Sequence, residues 1–162
     1  MDHSIRPRAG PDDPIGQGFS LEPAEFTAQV HGVSTHGSVP RTLSEPRRDP
    51  TDERPAPAEP IVLTFDDGYR NFYEQTWRIL CQESFHATVL VVTRSLDSPR
   101  SLTREMVREL DRSRAIEIGI HTVHHVDLTQ VSAAQVRAEC TECATTLREA
   151  LAYPVLAFAL FR

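Results

Sequence analysis

From Ile61 onward the chain alternates between two textures. Short apolar runs give way to longer stretches in which apolar residues return every third or fourth position. The runs are Ile61 to Phe65, "ATVLVV" at 87–92, "AIEIGI" at 115–120 and "PVLAFAL" at 154–160. Their length and β-branched content predict four strands, and the second, apolar almost throughout, reads as a strand buried on both faces. The periodic stretches predict helices. Asn71 to Ser84 turns Phe72, Ile79 and Leu80 inward, Thr103 caps a helix with Met106, Val107 and Leu110 on one side, and Ser132 caps a long third helix. Strand–helix–strand repetition with short joins predicts an α/β fold with parallel strands and right-handed crossovers.

Upstream of residue 61 the pattern is weaker. Residues 1–18, rich in Pro, Gly and Asp, are expected to be disordered. Residues 19–44 hold a lead-in helical segment, with Ser20 as cap, Pro23 in the first turn, and Phe26 and Val30 on the apolar side. Residues 45–60 carry five prolines among many charges and read as a surface loop or linker. Residues 61–162 then form the main α/β unit.

Charge and cysteine content narrow the class. The formal net charge is −6, with a pI near 5.6. That argues against a nucleic-acid partner, which would require a basic face. Three cysteines give no disulfide framework. Cys140 and Cys143 form a C-x-x-C, a spacing used by redox and zinc sites. However, Val136, Cys140, Cys143, Leu147 and Leu151 fall on one helical face, which favours a core role. The N-terminus has no apolar leader and no run is long enough to span a bilayer, so the chain as written is expected to be soluble and cytoplasmic. A misassigned start would make it secreted or envelope-located.

The candidate chemistry sits just after strands. Asp66 and Asp67 follow the first run, and "HTVHH" at 121–125 follows the third. In parallel α/β folds, ligands bind at the carboxyl ends of strands, so both groups are expected on one rim. His121 and His125, four apart, would share one face of a helical turn and could grip one ion, with His124 pointing elsewhere. Taken alone, H-x-x-x-H is more often surface or capping residues, and Asp-Asp-Gly more often a turn with Gly68 at positive φ. Together they suggest a site with two His and one Asp ligand. Such a set leaves positions open for water and substrate, as catalytic metal sites do.

"LTFDDGY" followed by "EIGIHTVHHVDLT" resembles the polysaccharide deacetylases, carbohydrate esterase family 4, also called the NodB homology domain. Thr64 to Gly68 match the family's T-F-D-D-G in full, and His121, Thr122 and His125 match its H-S/T-x-x-H. The resemblance implies a distorted (β/α) barrel, here its first four strands only. It also implies a metal-dependent hydrolase removing N-acetyl or O-acetyl groups from a carbohydrate. By position, Asp67, His121 and His125 would hold a divalent metal, usually zinc. Asp66 would be the general base, Thr122 would brace the loop through a hydrogen bond to its backbone, and Gly68 would make the turn. The partner is an acetylated polysaccharide or oligosaccharide.

The family pattern continues past strand four with a third motif, F-A-Y-P-Y-G. This sequence keeps only Phe158 and Ala159 of it before ending in Leu160, Phe161 and Arg162. The expectation is therefore a C-terminally truncated member with reduced or no activity, or a barrel completed by a partner chain. Two other readings stand beside it: a non-catalytic metal- or sugar-binding fragment, and an unrelated metallohydrolase with an Asp-His-His site.

Overall fold

The computed structural model describes residues 4–7, 20–45 and 59–160. The expected loop at 45–60 lies mostly outside these residues, as does most of 1–18. The four positions of 1–18 that are described differ from expectation. Ser4–Ile5 (β1) pair in parallel with Ser20–Leu21 (β2), and Ile5 is fully buried. One isoleucine side chain removed from water is worth roughly 1.5–3 kcal/mol, enough to anchor a short strand in an otherwise polar stretch.

The lead-in helix is present as α1, Pro23–Thr35, with Phe26 and Val30 buried. Its cap differs from the sequence reading. Ser20 is a strand residue, and the N-cap is Glu22, with no side-chain cap bond. Pro23 at the first helical position starts the helix instead, because its fixed φ suits that position and its missing N–H is not needed there. Phe26 meets Phe65 edge-on at 5.8 Å, and Phe65 meets Phe72 at 5.0 Å, so α1 is joined to the α/β unit by a ladder of rings.

The first predicted strand divides. Pro60–Val62 (β4) pairs with Val39–Arg41 (β3), whereas Thr64–Phe65 (β5) pairs with Ala87–Val91 (β6). Beyond β5, Phe72–Thr76 form a π-helical turn that runs into α2, Trp77–Gln82, with Phe72, Ile79 and Leu80 buried as expected. Every residue of β6 is buried. After it come α3, Arg104–Arg112; β7, Ile116–Ile120; and α4, Ala133–Leu151. Thr103 Oγ1 accepts from Met106 N at 3.1 Å, and Ser132 closes a full capping box with Gln135.

The main sheet is parallel, in the order β5-β6-β7. Helices α3 and α4 both pack on β7 and on each other. Val107, Leu110, Cys143 and Leu147 fill that layer. Cys143 is thus core, its Sγ 3.6 Å from the Val91 carbonyl, and its C-x-x-C partner Cys140 is half-buried. Burial pushes both thiols up, away from the reactive thiolate form.

The predicted fourth strand is an extended segment rather than a strand. It meets β7 through one parallel bridge, Ile120 to Phe158, in which Ile120 N donates to Ala157 O and Ala159 N to Ile120 O. Its side chains still alternate, with Val155 and Ala157 buried and Leu156 and Phe158 exposed. Gly119 permits the approach. A Cβ there would lie 2.7 Å from Leu90 Cδ2 and 3.1 Å from Ala157 Cβ. The architecture is an α/β arrangement of small, unclosed sheets, the deacetylase-type barrel in part. Among the described residues, no helix is long and apolar enough to cross a membrane.

Candidate metal centre

Strands β5 and β7 flank β6, and each ends at the same rim. Asp66 and Asp67 follow β5 directly, Asp66 buried and Asp67 half-buried. The chain turns there through two left-handed residues, Asp67 at φ 70° and Gly68 at φ 69°. Glycine adopts this conformation freely and aspartate tolerates it. The turn is held from outside: Leu102 N donates to Gly68 O at 2.9 Å and Arg70 N to Arg100 O at 2.8 Å.

His121 leaves β7 with its own N–H donating to Val91 O at 3.1 Å. Its ring is buried, and Nδ1 lies 3.0 Å from Ala159 O. A carbonyl only accepts, so Nδ1 carries the proton and Nε2 presents its lone pair to the site. The four-residue spacing to His125 works by a route that the sequence reading did not anticipate. Residues 121–125 are not helical. Thr122 (φ 67°) and His125 (φ 57°) are both left-handed, and Thr122 Oγ1 accepts from His125 N at 3.0 Å. The two rings meet with centroids 5.0 Å apart. Each non-glycine residue held this way costs of order 1–3 kcal/mol, a cost seen most often at functional sites.

Asp67 Oδ1 lies 3.2 Å from His125 Nε2 and 3.7 Å from His121 Nε2. The three ligand atoms fall within 4.8 Å of one another. Asp67 Oδ1 is buried yet accepts no hydrogen bond. A buried carboxylate oxygen in that position is costly unless a cation offsets it, and two imidazole nitrogens with one carboxylate oxygen suit a divalent metal. The residues therefore fit the ion that the motifs implied.

A cavity of about 220 Å³ opens on this cluster, lined among others by Asp67, Tyr69, Arg94, Ser101, His124 and His125. Several of these carried no separate sequence signal. Burial pushes the Tyr69 phenol up, and the charge of Asp67 together with its hydrogen bond to Asp67 pushes it further, so Tyr69 stays a neutral donor. Its place beside Asp-Asp-Gly was the one available hint. His124 is outside the ligand cluster, with Nδ1 2.7 Å from Glu139 Oε1.

Comparison with known proteins agrees with this geometry. Residues 53–160 match the family model described as "Polysaccharide deacetylase". Over 127 residues the chain is 24% identical to YxkH of Bacillus subtilis (strain 168), covering 78% of this chain and 45% of that protein. It is 28% identical to the poly-beta-1,6-N-acetyl-D-glucosamine N-deacetylase of Escherichia coli (strain K12), covering 68% of this chain and 19% of that one. The chain thus spans less than half the length of these relatives. The fold is shared with Streptococcus pyogenes deacetylase PplD in complex with acetate, at a TM-score of 0.84 and 24% identity, covering 98% of this chain and 69% of that one. IcaB from Ammonifex degensii gives a TM-score of 0.79 at 19% identity, covering 98% and 70%. An unrelated metallohydrolase is thereby set aside: with the family model matched over residues 53–160, the chain belongs to the polysaccharide deacetylase family.

Proposed function

We propose that this chain carries the metal-binding part of a metal-dependent deacetylase acting on N-acetyl groups of a hexosamine polysaccharide, with zinc as the ion. The observation that carries the reading is the convergence of Asp67, His121 and His125 within 4.8 Å beside a buried Asp66. The named activity of the Escherichia coli relative supports the substrate class.

When bound, zinc would supply Lewis acidity toward an acetyl carbonyl and a water. The chain's own groups would do the rest. Asp67, His121 and His125 hold the ion, and the Ala159 carbonyl fixes the His121 tautomer. Asp66, buried at the same strand end, takes the proton from the attacking water. Thr122 keeps His125 in place through its backbone N–H. Tyr69, a neutral donor on the cavity wall, orients Asp67. Exposed Leu156, Phe158 and Leu160, beside a sheet joined there by one bridge, are where further strands would add, from a partner chain if need be.

The test is zinc content together with acetate release from an N-acetylglucosamine oligomer. One zinc per chain, with acetate release that chelation abolishes, is the expected result. Zinc without acetate release would favour a metal-binding unit that lacks catalysis. Failure to bind zinc would overturn both.

A further inference from the structure

The loop carrying His125 has two left-handed residues and no regular hydrogen-bond ladder of its own, so something must hold it. Thr93 N donates to Thr122 O at 3.3 Å and Arg94 N to Val123 O at 3.1 Å, which fixes the carbonyl side. The amide side is held from a different element. Glu139, in the second turn of α4, reaches across with its side chain only 12% exposed. Its Oε2 accepts from Val123 N at 2.8 Å and from His124 N at 2.9 Å, while Oε1 meets His124 Nδ1 at 2.7 Å. Two successive amides converge on one carboxylate oxygen, the arrangement that backbone turns use to bind anions. We infer that Glu139 is a positioning residue for the metal centre, fixing the loop backbone so that His125 Nε2 faces Asp67.

Three observations support this beyond the distances. Glu139 stands on a rigid support: four residues on, Cys143 is fully buried against the Val91 carbonyl, and Leu147 beyond it is fully buried too. Val91 O also accepts from His121 N, so both ends of the loop are referred to the same strand end. The third observation is electrostatic. Burial pushes the Glu139 carboxyl up, but hydrogen bonds from His124 and Val123 outweigh it and hold the group below the usual glutamate range, so it stays an acceptor at neutral pH. The three bonds from Glu139 go to Val123 and His124, the residues between the two histidine ligands. Its effect passes through the backbone, as groups behind a metal's ligands commonly act.

The inference rests on the metal-site reading, and zinc titration of the folded chain separates the two. Glu139→Ala removes all three bonds, and Glu139→Asp keeps the charge but is one methylene too short to reach both amides. Each should weaken zinc binding about 10–100-fold. Glu139→Gln keeps an oxygen for the two amides and should return affinity to within about threefold of the parent chain, since hydrogen-bond geometry rather than charge positions the loop. With cobalt in place of zinc, the Ala and Asp variants should also show a changed visible spectrum and the Gln variant a nearly parental one. A purely structural role would lower the melting temperature of the metal-free protein and leave zinc affinity unchanged; zinc affinity within about twofold of the parent in a folded Ala or Asp variant overturns the inference. If Ala does not fold, Asp decides. A parent chain that binds no zinc would instead end the metal reading itself.

Discussion

Two polar clusters sit at opposite ends of the central sheet, and they are built from similar parts. At the amino end, buried Thr88 on β6 accepts from Leu43 N at 3.0 Å and donates to Glu117 Oε2 at 2.8 Å; Ser44 N donates to the same oxygen at 3.1 Å. At the carboxyl end, Asp67 Oδ1 lies among two imidazoles and accepts no hydrogen bond. The amino-end bonds satisfy one another within the chain and tie Leu43 and Ser44 to the amino end of the sheet. The carboxyl-end cluster leaves a buried oxygen aimed at the space between two rings, and its backbone turns through left-handed residues at Asp67, Thr122 and His125. Chemical similarity between clusters therefore says little. Left-handed residues also precede the strands at the amino end, at Ser84 and Arg114, so it is the unmet demand for positive charge that marks the end that binds something.

The largest test of that contrast is at the unmet oxygen. Asp67→Ala should reduce zinc binding by more than the roughly 10–100-fold typical of groups behind the ligands. Asp66→Asn should retain zinc and lower acetate release about 10²–10⁴-fold. Equal zinc loss in the two variants, measured by calorimetry, would sink the division of roles between neighbouring aspartates. Next in size is Gly119→Ala. The added methyl collides with Leu90 and Ala157, which should lower stability by about 1–3 kcal/mol and loosen the segment whose carbonyl holds His121. An unchanged denaturation midpoint would show that the 154–160 segment yields without resistance.

At the satisfied end, Thr88→Val keeps the shape but strands Leu43 N, at a cost of about 1–3 kcal/mol. Zinc affinity should not change; a matched loss of zinc would show that the two ends are not independent. The smallest effect is in pH dependence. Glu139 is held below its ordinary value near 4.5, so its contribution to stability is present above that pH and fades as pH falls through and below it. In chelated samples, the stability gap between the parent and Glu139→Gln should narrow on acidification, as followed by thermal melts at stepped pH. A gap that widens would mean the sign of the shift is wrong.

How much was legible depended on whether a signal was local. The helix faces of Val107 and Leu110, or of Cys143 and Leu147, could be read from spacing, because one buried side leaves a periodic trace. The rim location of Asp67 and His121 could be read from strand order, because a parallel sheet puts its loops at a shared end. The cap at Ser20 failed because Ile5, far away in sequence space, drew Ser20–Leu21 into a strand pair. The fourth strand failed as a strand because an alternating apolar pattern specifies burial, not the number of ladder bonds made.

The sequence by itself determined the alternation of strands and helices, the caps at Thr103 and Ser132, and which residue types could grip an ion, since each follows from period, propensity and donor chemistry. Only the tertiary structure decided that His121 and His125 meet through left-handed turns rather than a helix, that Ala159 sets the tautomer, and that Glu139 holds the loop from another element. The contacts of Glu139 and Ala159 join residues 15 to 38 positions apart, and no local pattern encodes such pairings before the core has packed.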